Sequence, residues 1–198
     1  MAPKPDVSEE RTEQIIEAAI QVFTETGFSE TRMDDIAKAA GLSKGTLYLY
    51  FKSKDAIIHE IMQRFFDTEM RQIAVFDDQT KSVTERLLEG LSSVANTFDQ
   101  FLPMAPVMIE FYAMAARDEK TRQVLAGFYD EFHRSLRPLI QEGIDNGEFR
   151  AVNPDQVSMA LVSIIEGTGI LWTLDPAMNW KEQVFAAGEM LVEGIKAH

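Results

Sequence analysis

Apolar residues recur along this chain at intervals of three and four, and each run stops at a glycine, a proline or a capping side chain. That pattern admits helices and little else. From Ser8, the residues Ile15, Ile16, Ala19, Ile20 and Phe23 share one helical face. Ser8 suits the N-cap, Glu9 and Glu10 suit the positive end of the dipole, and Gly27 is the stop. A short helix is expected from Met33 to Ala40, ended by Gly41, and another from the Ser43 cap to Tyr50. Ser53 caps a long helix that the periodicity carries to Phe76. Further helices are expected over Val83 to Leu102, Pro106 to Ala116, Asp118 to Gly143, Pro154 to Thr173 and Trp180 to Lys196. Pro138 is a possible bend, Asn153-Pro154-Asp155 a strong start, and Asp175-Pro176 a break. No strand pattern, low-complexity tract or repeat interrupts the series.

Bulk properties narrow the function. With no cysteine among its 198 residues, the chain has no disulfide, thiol or thiolate-metal chemistry. The segment before Ser8 has no apolar core to act as a signal, and no unbroken run of about 18 apolar residues suggests a span. A cytoplasmic protein is expected. The net charge of −13 argues by itself against nucleic acid. Locally the sign reverses: Arg32, Lys38, Lys44, Lys52 and Lys54 outnumber Asp34 and Asp35, for a charge of +3 between Thr31 and Lys54.

That segment, TRMDDIAKAAGLSKGTLYLYFKSK, has the form of a helix-turn-helix. Gly41 permits the tight turn, Leu42 fills the space between the helices and Ser43 caps the second. Lys44, Gly45 and Thr46 can then face DNA, while Tyr48 and Tyr50 offer rings and hydroxyls to the sugar-phosphate or a thymine methyl. Lys54 is placed for a backbone phosphate. The plainer reading is two short bundle helices with core aromatics. The coincidence of cap, glycine, tyrosines and lysines favours DNA.

The same residues carry a resemblance. The order Ala18-Ala19…Phe23…Gly27-Phe28…Thr31…Asp35-Ile36-Ala37…Ala40-Gly41-Leu42-Ser43-Lys44-Gly45-Thr46-Leu47-Tyr48…Tyr50-Phe51…Ser53-Lys54 resembles the TetR family of transcriptional regulators. The resemblance implies an all-α fold of about nine helices. A flexible arm covers 1–7, a three-helix helix-turn-helix domain 8–54, and a ligand-binding and dimerisation domain 55–198, the two domains joined by a long helix. It implies major-groove contacts from Lys44, Gly45, Thr46, Tyr48 and Leu49, and backbone contacts from Tyr50 and Lys54. Thr31 and Arg32 approach phosphate, and Ser43 at the helix start belongs with the implied DNA-binding residues. Many relatives carry an aromatic residue where Leu49 stands. Leucine can offer only apolar contact, for instance to a thymine methyl.

The implied function is a sequence-specific DNA-binding regulator, a repressor released from a near-palindromic double-stranded operator by a small-molecule effector. The implied partner copy docks through the last two helices, where Ala160, Gly167, Gly169, Ala186, Ala187 and Gly188 allow close approach. The alternative is a helical adaptor or structural dimer without sequence-specific DNA binding. No enzyme, cofactor or metal is expected: His59-Glu60 begins like a zinc-protease helix but lacks the second histidine. For the effector, Phe98, Phe101, Met108, Phe111, Tyr112, Phe128, Phe132 and Trp172 suit a broad apolar pocket. Glu110 and Glu166 interrupt apolar helices. Either they lie on solvated or interface stripes, or they face the cavity and favour a cationic ligand.

Overall fold

The computed structural model describes residues 7–72, 76, 78–101 and 104–197, with the side chains of these except at 7, 69, 72 and 97–101. Among the described residues there are nine α-helices: α1 Val7–Thr26, α2 Met33–Ala39, α3 Lys44–Tyr50, α4 Lys54–Gln72, α5 Val83–Phe101, α6 Ala105–Ala115, α7 Glu119–Asp145, α8 Pro154–Leu174 and α9 Trp180–Ile195. The expected arm falls almost wholly outside these residues.

Local chemistry accounts for most helix ends. The backbone N–H of Ala56 donates to Ser53 Oγ at 3.1 Å, that of Thr121 to Asp118 Oδ2 at 2.7 Å, and that of Asp155 to Asn153 Oδ1 at 2.9 Å. These are the three caps expected of α4, α7 and α8. Ser8 instead lies inside α1, which starts one residue earlier. A reciprocal cap at α5 had no place in the expectations: Ser82 N donates to Glu85 Oε2 at 2.9 Å while Glu85 N donates to Ser82 Oγ at 3.2 Å. Pro138 sits within α7 without ending it. The described part of α4 stops at Gln72 rather than Phe76. The Phe76 carbonyl accepts from Nε of the buried Arg86 at 2.7 Å and from its Nη2, and Arg86 Nη1 donates to Glu142 Oε1 at 2.7 Å.

The chain divides into two compact units. The first holds residues 1–65 and 106–121, and the second residues 66–105 and 122–198. In the first, α2 packs on α1 and α3 on α2 around Ile15, Phe23, Ile36 and Leu47. Its discontinuity is notable, because α6 joins it from the middle of the chain through contacts with α4. His59 meets the Phe111 ring edge-on, with centroids 5.3 Å apart. In the second unit α9 packs against α5 and α8. Gly188 faces the Leu91 side chain so closely that a Cβ there would overlap it. The small residue expected to ease the approach of a partner copy therefore serves α5 of the same protomer. Among the described residues, β-type pairing is confined to one antiparallel bridge between Phe149 and Lys196.

One helix departs from the membrane expectation. α8 has a mean hydropathy of 1.6 over an 18-residue window, enough by length and composition to cross a bilayer. Serines, threonines, glycines and Glu166 break its apolar run, which is why unbroken stretches do not reveal it. Only 33% of that window is buried within the protomer, so much of its apolar surface is open.

Candidate nucleic-acid interface

The turn between α2 and α3 is built as a helix-turn-helix requires. Gly41 takes φ +64, a left-handed conformation nearly free for glycine and strained for other residues. Ser43 Oγ accepts from Thr46 N at 3.0 Å and caps α3. Gln14 of α1 donates to the Ala40 carbonyl at 2.7 Å, closing the end of α2 against α1. At the start of α2, Arg32 N donates to Asp35 Oδ2 at 2.9 Å, leaving the Arg32 side chain exposed.

Burial separates the faces of α3. Leu47 is 0% exposed and anchors the helix, whereas Leu49 is 77% exposed. Tyr48 and Tyr50 are half-buried, and Gly45 is exposed, with Ser43 Oγ 3.8 Å from where a Cβ would stand. The Ser43 and Thr46 hydroxyls bond each other at 2.8 Å. Lys44 meets both carboxylate oxygens of Asp34, at 2.7 and 3.0 Å. The Asp34 hydrogen bond and charge raise its pKa above the usual lysine value. Both side chains remain mostly in water, so the pair adds little to stability and can be exchanged for a phosphate. Lys52 is also exposed, its Nζ donating to the Tyr48 carbonyl at 2.6 Å.

Two residues expected at phosphate are occupied elsewhere. Thr31 is 3% exposed and its hydroxyl donates to the Gly27 carbonyl at 2.7 Å. The Lys54 ammonium has three N–H bonds and meets three carbonyl oxygens: Phe28 at 2.6 Å, Ser29 at 2.9 Å and Thr31 at 3.1 Å. It also lies 4.6 Å from the Phe28 ring centroid. Lys54 thus ties the first turn of α4 to the α1–α2 turn. A phosphate would have to displace one of those carbonyls.

The expected effector residues are divided between the two units. Met108 and Phe111 are buried in the first unit, with Glu110 and Tyr112 half-buried on the same helix. Phe128, Phe132, Glu166 and Trp172 belong to the second unit, where Phe128 stacks on Phe66 at 4.2 Å. The side chains of Phe98 and Phe101 lie outside the described residues. Within the second unit there is a cavity of about 20 Å³, room for roughly one water. Phe132 is the expected residue that lines it, alongside Phe76, Leu91, Val94, Leu136 and Ile165. The lining holds no carboxylate, so neither Glu110 nor Glu166 lies on it. The spacing of Leu87, Leu91 and Val94 on α5, and of Phe132 and Leu136 on α7, marks single helical faces and could have signalled this wall.

Comparison with known proteins agrees with this geometry. Residues 15–61 match the family model described as bacterial regulatory proteins, tetR family, and residues 77–195 match that of the BetI-type transcriptional repressor, C-terminal. The chain is 35% identical to the uncharacterized HTH-type transcriptional regulator YfiR of Bacillus subtilis over 162 residues, 78% of this chain and 76% of that protein. Among solved structures it superposes on a TetR transcription regulator from Haloarcula marismortui with TM-score 0.85 at 18% identity, covering 96% of this chain and 100% of that one. It also superposes on the SmeT–triclosan complex with TM-score 0.78 at 18% identity, covering 95% and 92%.

Proposed function

The chain belongs to the TetR family of bacterial transcriptional regulators, and from that premise we propose that it is a repressor whose α3 enters the major groove of a near-palindromic operator and leaves it when an effector binds. As a member of that family it is a DNA-binding regulator and not an enzyme; such proteins act as dimers under small-molecule control. The observation that carries the reading is the α2–α3 turn with Leu47 inside and Leu49 outside, on a segment of local charge +3. Arg32, Lys38, Lys44 and Lys52 are the exposed cations of this segment available to phosphate, and Tyr48 and Tyr50 lie on the same helix as Lys44. The strongly acidic remainder keeps DNA on this one face.

The proposed dimer forms through α8 and α9. Met159, Ile170, Leu171 and Leu174 on α8, and Phe185 and Met190 on α9, are all exposed in the protomer. An open surface of that size and character marks a protein interface. Two-fold symmetry in the protein then asks for two-fold symmetry in the DNA. A solved neighbour of the same fold is a complex with triclosan, and we take from it an apolar, aromatic effector as the class to try first. The working place of such a repressor is the cytoplasm, with the DNA. The test is selection from a randomised duplex pool by the purified chain, followed by mobility shift and light scattering. A two-fold sequence bound by a dimer is expected. A monomer with no sequence preference would refute the proposal.

A further inference from the structure

Taking the DNA-binding reading as its ground, we infer that Leu49 selects a thymine in each operator half-site through the C5-methyl group. An α-helix advances ~100° per residue, so Leu49 lies about 200° around α3 from the buried Leu47 and points away from the core. Gly45, one turn earlier, shares that outward ridge, is exposed and has no side chain; a Cβ there would make only ordinary contact with Ser43 Oγ, at 3.8 Å. Two polar groups beside the ridge already have partners: Lys44 holds Asp34, and the Thr46 hydroxyl holds that of Ser43. The large apolar side chain that α3 leaves in water is a branched hydrocarbon, Leu49, 77% exposed.

A single exposed leucine is ordinary on a protein surface. Its setting here is what points to a ligand. Arg32, Lys44 and Lys52 are exposed on the same short segment, in a chain of net charge −13. Cations around an apolar knob complement a polyanion that carries an apolar group in a groove. Duplex DNA offers such a group in the thymine methyl, the one apolar feature of the major-groove base edges. Opposite guanine, adenine or cytosine, leucine would cover a donor or acceptor and give nothing back. Opposite thymine it covers a methyl, and Gly45 lets the helix backbone approach closely enough to do so.

Replacing thymine with deoxyuridine removes that methyl and leaves base pairing intact. The experiment takes the duplex selected by the full-length chain and replaces each symmetric pair of thymines in turn. Dissociation constants are measured by fluorescence anisotropy for the wild type, Leu49→Ala and Leu49→Gln. At one symmetric pair the wild type should lose about fourfold per half-site, the worth of one buried methyl group, or roughly 15-fold for both. Leu49→Ala should lose less than about twofold at that pair while keeping its sensitivity elsewhere, and Leu49→Gln should turn the preference toward adenine. Because Leu49 is exposed, both variants should melt with the wild type. If a sequence is selected and every uridine penalty is the same with leucine or alanine at position 49, the methyl reading is wrong and the DNA-binding reading stands. If no sequence is selected, both fall together.

Discussion

α3 and the α8–α9 pair both leave hydrocarbon in water, and they do so in opposite ways. α3 exposes one leucine, beside exposed cations and half-buried tyrosines. α8 exposes four large apolar residues, and its 21 residues include only two ionisable ones, Asp155 and Glu166. A surface that reads DNA works atom by atom and needs charge to approach. A surface that joins another copy works by area, and charge on it costs desolvation. The difference shows in how the two are held. α3 is fixed by a hydroxyl cap and a glycine turn, whereas α9 is seated by glycine-on-leucine contact, Gly188 against Leu91.

The largest effect is expected where area matters. Leu171→Glu with Leu174→Glu places two charges on the proposed dimer face, at side chains already 57% and 78% exposed, so the protomer should still fold. Light scattering should report a monomer. Operator affinity should fall at least ~100-fold, because two half-sites bound independently lose their effective concentration. An intact dimer would move the interface to another face and undo the contrast.

An intermediate effect distinguishes side chains that build the first unit from those that face DNA. Lys54→Met removes three hydrogen bonds from a charged donor and should lower stability by about 1.5–3 kcal/mol in denaturant titrations. The salt dependence of operator binding should keep the wild-type slope. Lys44→Ala should do the reverse, with stability within about 0.5 kcal/mol of wild type and a log–log slope shallower by roughly 0.9 per half-site, about 1.8 for the dimer. A slope change in Lys54→Met would return that residue to the phosphate backbone.

The smallest effect concerns pH. Thr121 is fully buried and its hydroxyl donates to Asp118 at 2.7 Å, so His59 Nε2, 2.9 Å from the same oxygen, must be the donor. Burial lowers the His59 pKa below 6.5, helped by Lys120 and opposed by Asp118 and Asp55. The folded state therefore binds this proton less readily than the unfolded one. The contribution to stability is complete above pH 6.5 and is lost as pH falls below it toward the folded value. Between pH 7.5 and 5.5 the wild type should lose more melting temperature than His59→Gln, which keeps a donor without a titrating ring. Equal losses would show that the acid sensitivity lies elsewhere.

Most of the fold was legible from the residues because helix ends are decided nearby. Ser53, Asp118 and Asn153 reach amides two or three residues away, and Gly41 needs only its own torsion angle. The same range explains the reading of α2 and α3 as a helix-turn-helix. The partners of Lys54 were not legible, since its carbonyls come from residues 23 to 26 positions earlier. Nothing in a lysine beside a helix start distinguishes a phosphate ligand from a clamp. The wall of the second unit's cavity was hidden for a related reason: periodicity marks the face of α5 that turns inward but not which helices it meets. By itself, then, the sequence determined the helices, their caps and the segment that turns toward DNA, because those depend on interactions within a turn. Only the tertiary structure decided that α6 belongs with the N-terminal helices, that Thr31 is buried, that Gly188 serves Leu91 and that Lys54 is spent inside the protein. Each of those depends on which surfaces meet across long separations in the chain, where packing and burial choose the partner.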